Sequence, residues 1–250
     1  MRTYLEALKA RVAPLENPYL RALDDGSFER ADFIETQIQF LHAVVYFSRP
    51  MAVLAARLPR AEQRLSLLDN VHDEHGGGEL AGSHERTFLT LLQRLGISLS
   101  ELDRRAQWPE VRAFNSTLLG VCAHDDIPTA LAVLGVIEEL FAGISARIGR
   151  AIVARGWLSQ AELTHYPTHE VIDIGHAEGF YRLIEPLAGA EPRVAYQVEQ
   201  GLELGAYIFL RLYADLFHAR KRRVFREVKG PHSLADGWTL PNGEDESSRR

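Results

Sequence analysis

HEVIDIGH, residues 169–176, carries two histidines and one aspartate in little more than two helical turns. An α-helix turns by about 100° per residue, so positions i, i+4 and i+7 lie within an arc of roughly 60°. His169, Asp173 and His176 have this spacing. The same face continues with three apolar residues, Phe180, Leu183 and Leu187. The polar triplet is therefore expected to point toward the protein core.

Helical periodicity covers nearly all of the chain, with apolar residues recurring every three or four positions. The segments with this pattern are 33–58, 60–74, 84–96, 108–121, 127–155, 170–189 and 193–223. The sequence lacks the alternating β-branched runs, flanked by turn residues, that indicate strands. It therefore predicts an all-α fold.

The sequence indicates one domain, because no internal repeat and no flexible linker divides residues 1–228. After residue 228 the composition shifts toward glycine, proline, serine and charged residues. Residues 229–250 are expected to form an irregular, disordered tail.

Composition narrows the cellular context. The net charge of about −6 provides no overall basic field for nucleic acid. No apolar run approaches the roughly 20 residues that cross a bilayer, and a single cysteine, Cys122, suits a reducing cytoplasm. The apolar neighbours of Cys122 favour a buried, inert thiol over a nucleophile. We expect a cytoplasmic protein that binds neither nucleic acid nor membranes.

Three more polar residues fall on apolar helix faces. Glu74 extends the stripe formed by Leu67 and Val71, and His84 heads a stripe that continues with Phe88. Between them stands a break of three glycines, residues 76–78. A glutamate and a histidine thus face inward on either side of a turn.

The third is Glu138, which lies among buried-face positions that include Leu134 and Phe141. Its neighbour Glu139 falls on a side with small residues. Glu138 is preferred as the inward-facing acid, and Glu139 remains the alternative.

Carboxylates aimed into a core require compensation, because each would cost several kcal/mol if left unpaired. Most arginines and lysines lie on other faces. Two divalent cations would balance Glu74, Glu138 and Asp173, with one anion making up the difference. Imidazole and carboxylate donors without thiolate suit iron or manganese better than structural zinc. A ferritin-like bundle is disfavoured, because the chain has only one Glu-x-x-His motif, Glu162 to His165.

This set of motifs resembles the haem-oxygenase-like dimetal oxidases, whose fold is shared by TenA thiaminases and the PQQ-synthesis oxidase. The likeness covers roughly residues 15 to 220. Its segments are NPYLRALDDGSFERADFIETQIQFLHAVVYF (17–47), DNVHDEHGGGELAGSH (69–84), LGVIEELF (134–141), HEVIDIGH (169–176) and LELGAYIFLRLYADL (202–216).

The resemblance implies a haem-oxygenase-like (TenA-like) bundle of about seven core helices. It also implies two Fe(II) ions, or a manganese–iron pair, with O2 as cosubstrate. The implied metal ligands, which are also the catalytic residues, are Glu74, His84, Glu138, His169, Asp173 and His176. Some relatives add a carboxylate from the long early helix, for which Glu35 is the only candidate here. A homodimer and an external electron donor are further expectations.

The implied substrate is a small amine- or carboxylate-bearing metabolite of a biosynthetic pathway. The reaction would be N-oxygenation, oxidative decarboxylation or C–C cleavage. A type that makes p-aminobenzoate from its own tyrosine and lysine is disfavoured, because the three lysines, Lys9, Lys221 and Lys229, lie near the chain ends. The alternatives are a metal-free enzyme of this fold and a non-catalytic interaction protein.

Overall fold

The computed structural model describes residues 1–226, and the predicted tail, residues 229–250, lies outside them. The described chain forms ten α-helices. Their bounds are α1 Arg2–Val12, α2 Pro18–Asp24, α3 Arg30–Arg57, α4 Ala61–Glu74, α5 His84–Arg94, α6 Leu99–Asp103, α7 Pro109–His124, α8 Ile127–Ala154, α9 Tyr166–Ala190 and α10 Pro192–Ala219. Within residues 1–226 the only β-type pairing is an isolated bridge between Arg105 and Phe225. The all-α prediction is confirmed.

Seven of these helices, α3 to α5 and α7 to α10, match the seven segments predicted from periodicity, usually within a few residues. The largest differences are of four residues: α10 ends at Ala219 instead of 223, and α9 begins at Tyr166 instead of 170 and so includes His169. Pro167 stands in its first turn, where the missing N–H costs nothing because it would have no helical partner. Helical periodicity alone did not predict α1, α2 and α6; α2 lies within the segment 17–47 of the family resemblance.

Helix α8 forms the centre of the bundle, with α9 and α10 packed along it. Helix α3 packs against α4, α5 and α7 on the other side of the core. Two glycines let α10 approach α8 closely. A Cβ at Gly201 would collide with the backbone carbonyl of Thr129, and one at Gly205 would lie 2.5 Å from a Val136 methyl group. Larger residues here would force the two helices apart.

Two helices, α3 and α8, are long and apolar enough to cross a membrane by length and composition. The corresponding windows are 67% and 72% buried inside the protein. Burial of this kind is what a central core helix requires, so the two helices are core elements here.

The predicted core-facing stripe of α9 is correct near the triplet and wrong at its far end. Phe180 is buried, whereas Leu187 is 44% exposed. Leu187 follows His169 by 18 residues, which are five full helical turns, so the two residues lie on the same face of α9. Leu187 is exposed because it lies near the C-terminal end of α9, where four of the five residues 186–190 are exposed.

The glycine break between α4 and α5 is a tight turn. Gly76, Gly77 and Gly78 all have positive φ, at 75°, 64° and 92°. A Cβ on Gly76 would lie 2.5 Å from the backbone nitrogen of Ser83. Gly76 is therefore required both by its positive φ and by the closeness of the Ser83 backbone. The turn reverses the chain and brings His84 close to Glu74.

Replacing Gly76 by alanine is expected to cost clearly more stability than replacing Gly77. Both substitutions place a side chain at positive φ, at roughly 1–2 kcal/mol. Only Gly76→Ala adds a collision with backbone, at roughly 1–3 kcal/mol more, because no atom lies within 4 Å of a Cβ on Gly77. Urea unfolding of both variants measures the difference, and equal losses would contradict the tight-turn interpretation.

Candidate metal centre

Four helices bring the six predicted ligand residues together. Helix α4 ends on Glu74, α5 begins with His84, and α8 carries Glu138 at its middle. Helix α9 supplies the other three from its first turns, His169, Asp173 and His176. All six are almost completely buried except His176, whose side chain remains 9% exposed.

Glu138, Asp173 and His176 form the tightest group. His176 Nδ1 lies 3.8 Å from Glu138 Oε1 and 3.9 Å from Asp173 Oδ1. One potential ligand atom from each residue falls within 4.8 Å of the others. This is the spacing at which one cation could contact all three after small side-chain shifts.

The other three predicted ligands, Glu74, His84 and His169, adjoin this group. His84 Nδ1 lies 2.9 Å from Glu74 Oε2, and His169 Nδ1 lies 2.9 Å from Asp173 Oδ1. The rings of His84 and His169 are 4.2 Å apart between centroids. The six side chains thus form one continuous cluster across the bundle interior.

Two ring nitrogens in the cluster lack a hydrogen-bond partner among the described residues. They are His169 Nε2 and His176 Nδ1, and both are buried. The opposite nitrogen of each ring donates to a carboxylate, His169 Nδ1 to Asp173 and His176 Nε2 to Asp73. A histidine that ligates a metal commonly has this arrangement, with one nitrogen oriented by an acid and the other left for the ion. The donor set therefore fits iron or manganese.

The structure also shows which of the two neighbouring glutamates, Glu138 or Glu139, faces the cluster. Glu139 turns toward α1, where it accepts from Lys9 Nζ at 2.5 Å and from the Tyr181 hydroxyl at 2.8 Å. Glu138 faces the cluster and accepts from Asn70 Nδ2 at 3.3 Å. Within residues 1–226, the arginines and lysines that form ion pairs do so with acids outside the cluster.

Glu35, the candidate for an additional ligand, lies elsewhere. Its Oε2 is 3.0 Å from Arg105 Nε and 3.4 Å from Arg223 Nε. Arg223 also pairs with Asp32. Glu35 is therefore a buried ion-pair partner of two arginines. Helix α3 faces the cluster with apolar side chains instead, among them Phe40 and Val44.

Burial and crowding of like charges perturb the cluster. Burial lowers the pKa of His169 well below its usual value and, with the charges of Glu138 and Glu74, raises that of Asp173 well above its own. At His176 burial favours the neutral ring, but the nearby Glu138 outweighs it and raises the pKa to about 9. Perturbed pKa values of this kind are typical of clustered acids and imidazoles at functional sites.

Sequence reasoning missed three polar residues beside the cluster. His165 is fully buried, with its ring centroid 4.2 Å from that of His169, and its Nδ1 lies 3.2 Å from the Thr87 hydroxyl. Asn70 and Asp73 contact Glu138 and His176. The spacing of Asn70 to Glu74, one helical turn, could have indicated Asn70, but no sequence signal places Asp73 next to His176.

Asp73→Ala is expected to weaken iron binding by roughly 10- to 100-fold, the usual effect of removing a carboxylate that orients a ligating histidine. Asp73→Asn should fall in between, because its amide oxygen still accepts from His176 Nε2. Asp69→Asn is the matched control, an exposed acid on the same helix. Competition against a chelator measures the affinities. An unchanged affinity in Asp73→Ala would refute the orienting role.

A small cavity of about 40 Å³ adjoins the cluster. Glu74, His84, Glu138 and His169 form one part of its wall, and apolar side chains of α3, α7, α8 and α10 form the rest. A small molecule in this cavity would contact the acids and imidazoles directly.

The fold is haem-oxygenase-like, the class that includes the TenA proteins. A domain of unknown function with this fold from Shewanella denitrificans superimposes with a TM-score of 0.71, covering 86% of this chain and 92% of that one at 18% identity. A TenA homologue from P. horikoshii gives 0.64, covering 87% and 96% at 14% identity. The predicted fold family is confirmed.

Residues 35–208 match the family of iron-containing redox enzymes, and the chain belongs to this family. A relative, the 4-aminobenzoate synthase of Chlamydia muridarum, is 21% identical over 212 residues, which are 84% of this chain and 89% of that protein. The resemblance to dimetal oxidases is thereby confirmed, and the protein is an oxidoreductase. The roles of the six residues as ligands remain a prediction.

Proposed function

We propose that the protein is a non-haem di-iron oxidase or oxygenase that uses O2 to oxidise a small metabolite. The main support is the convergence of three buried carboxylates and three imidazoles, in which two buried ring nitrogens have no hydrogen-bond partner within residues 1–226. Membership of an iron-containing redox family supports iron as the metal.

The six residues named above would hold two ferrous ions, which supply the electrons that reduce O2. The protein's own groups have separate tasks. Asp173 orients His169 and Asp73 orients His176, so each ring presents its free nitrogen to the centre. The apolar wall, including Phe141 beside His169, excludes water and protects a reactive centre from side reactions.

Other parts of the proposal rest on composition or on the family, not on the geometry of the cluster. They are a cytoplasmic location, a homodimer, an external electron donor, and a role in biosynthesis without nucleic acid or membrane partners. A manganese–iron pair is the alternative to two irons.

A metal-free thiaminase-type enzyme is disfavoured by Cys122. The thiol is buried in α7, and burial raises its pKa to about 12. Such a thiol is a poor nucleophile.

The relative's name contains the product 4-aminobenzoate (p-aminobenzoate). Its formation here from the protein's own tyrosine and lysine is disfavoured by Lys9. Its ammonium group pairs with Glu139 and Glu6 on the α1 side of α8. The other lysine among the described residues, Lys221, follows α10 near the chain end.

Oxygen uptake tests the proposal. Protein loaded anaerobically with Fe(II) is expected to consume O2 rapidly on mixing and to show a transient visible absorption band. The zinc-loaded and metal-free proteins should do neither. Uptake no faster than that of free Fe(II) in the same buffer would contradict the proposal.

A further inference from the structure

The cavity beside the cluster is small. Its volume of about 40 Å³ has room for roughly three water-sized groups. Glu74, His84, Glu138 and His169 form one part of the wall, and hydrocarbon side chains form the rest. O2 fits into this space, whereas a metabolite enters only if side chains of the wall move aside. When no metabolite is bound, the groups that meet O2 beside the cluster are therefore the protein's own.

Phe141 is the aromatic side chain of this wall that lies next to the cluster. It follows Glu138 by three residues, so both side chains leave α8 on the same face. The centroid of the Phe141 ring lies 4.9 Å from that of His169. The rings of Phe40 and Phe209 pack against Phe141, at 5.7 Å and 5.9 Å. Phe141 is therefore placed to meet an oxidant that forms at the cluster.

A phenyl ring is more readily oxidised than the aliphatic groups of the wall. Its π electrons attract an electrophilic oxidant to the ring face. The neighbouring aliphatic side chains, Ala43, Val44 and Ile137, offer only C–H bonds. The cavity also has space for the one oxygen atom that oxidation of the ring would add.

We propose that Phe141 is a site of self-hydroxylation, at which the iron-loaded protein converts phenylalanine to tyrosine when it meets O2 without substrate. One oxygen atom of O2 enters the ring, where a C–O bond replaces a C–H bond and the displaced hydrogen is balanced by the hydroxyl proton. The other oxygen atom leaves as water with two protons from solvent. The ring supplies two of the four electrons that O2 takes up, and two Fe(II) ions supply one each. The inference rests on the proposed di-iron function.

Mass spectrometry of the digested protein tests the proposal. Wild-type protein is loaded anaerobically with two Fe(II) per chain and exposed once to O2, with catalase present to remove hydrogen peroxide. We expect the peptide that contains Phe141 to gain one oxygen atom, and fragmentation to place that atom on the Phe141 ring. Heavy-isotope O2 should label the new oxygen, whereas heavy-isotope water should not.

Two variants and a metal control test the link to the irons. Glu138→Gln should leave Phe141 unmodified, because a single remaining iron supplies only one electron. Glu139→Gln, which keeps the cluster intact, should be hydroxylated like the wild-type protein. Zinc-loaded protein should gain no oxygen. An unmodified Phe141 after rapid O2 uptake, or oxygen spread over residues far from the cluster, would overturn the proposal.

A second measurement tests the geometry without O2. Phe141→Tyr places a phenol oxygen where hydroxylation would create one. Loaded with Fe(III), this variant should show an additional visible absorption band, because a phenolate bound to Fe(III) absorbs visible light. Phe209→Tyr is the matched control, whose ring packs against Phe141, and it should lack the band.

A folded, iron-loaded Phe141→Tyr without this band would overturn the proposal, because the ring would not reach the metals. If the variant does not fold, the oxygen analysis of the wild-type protein decides alone.

Iron content and O2 uptake, measured on the same samples, separate the two proposals. Normal iron loading and rapid uptake with an unmodified Phe141 refute the self-hydroxylation and leave the di-iron function intact. A protein that binds no iron refutes both. Oxygen on Phe141 in metal-free protein refutes the assignment of the reaction to the irons.

Discussion

Replacing Glu138 by glutamine is expected to lower the bound iron from two ions per chain to at most one, and to abolish iron-dependent O2 uptake. The substitution keeps the size of the side chain but removes its charge and its stronger donor oxygen. Glu138 lies in the tightest group of the cluster, 3.8 Å from His176. Its loss also leaves His176 without the main charge that supports it.

Glu139→Gln is the matched control, one residue along the same helix. The change removes a partly exposed ion pair with Lys9, worth about 1 kcal/mol or less. Its melting temperature should therefore fall slightly, while iron content and O2 uptake stay normal. Elemental analysis and an oxygen electrode measure both variants. The opposite result, with Glu139 needed and Glu138 dispensable, would show that the wrong glutamate was assigned.

Iron affinity is expected to rise steeply with pH, because ligation must displace protons. The pKa of His176 is raised to about 9, and that of Asp173 is raised well above its usual value by burial and by Glu138 and Glu74. Below pH 9, binding releases the His176 proton, and it also releases the Asp173 proton wherever that group is still protonated. Each released proton makes affinity about tenfold higher per pH unit. Between pH 6.5 and 8.5 the slope should be at least about one.

Anaerobic titration against a chelator of known pH dependence measures this slope. His176→Asn should lower the slope by about one. A wild-type iron affinity that is independent of pH over this range would mean that the metal does not displace a proton from His176.

The melting temperatures of the metal-free and the iron-saturated protein should change in opposite directions as the pH rises. A group whose pKa is higher in the folded than in the unfolded state stabilises the fold at pH values below its unfolded-state pKa. This stabilisation is lost as the pH rises through the folded-state pKa. For His176 the window runs from pH 6.5 to about 9. Over it the metal-free protein should lose melting temperature, whereas saturating iron should reverse the trend because iron binds more tightly there.

Helix faces were predictable from sequence wherever one apolar stripe dominates. The stripe of α5, headed by His84 and continued by Phe88, Leu91 and Leu95, is buried as expected. The inward direction of Asp173 followed from its spacing to His169, because both lie on one rigid helix. Such predictions depend only on local geometry.

The contacts between residues of different helices could not be predicted from the sequence pattern. Helix α3 is buried on several sides near Glu35, so its stripe gave no direction, and only the fold shows that Arg105 and Arg223 cover this acid. His165 precedes Tyr166 and Pro167, which indicate a helix boundary, so the sequence pattern predicts no inward helix face for it. Asp73 contacts His176 across 103 positions of sequence.

Anomalous diffraction at the iron edge, from crystals grown without oxygen in the presence of Fe(II), tests the central claim most directly. The proposed centre predicts two iron peaks per chain, enclosed by Glu74, His84, Glu138, His169, Asp173 and His176. Absence of iron from this cluster in crystals that contain Fe(II) would contradict it, as would a single peak bound by other residues.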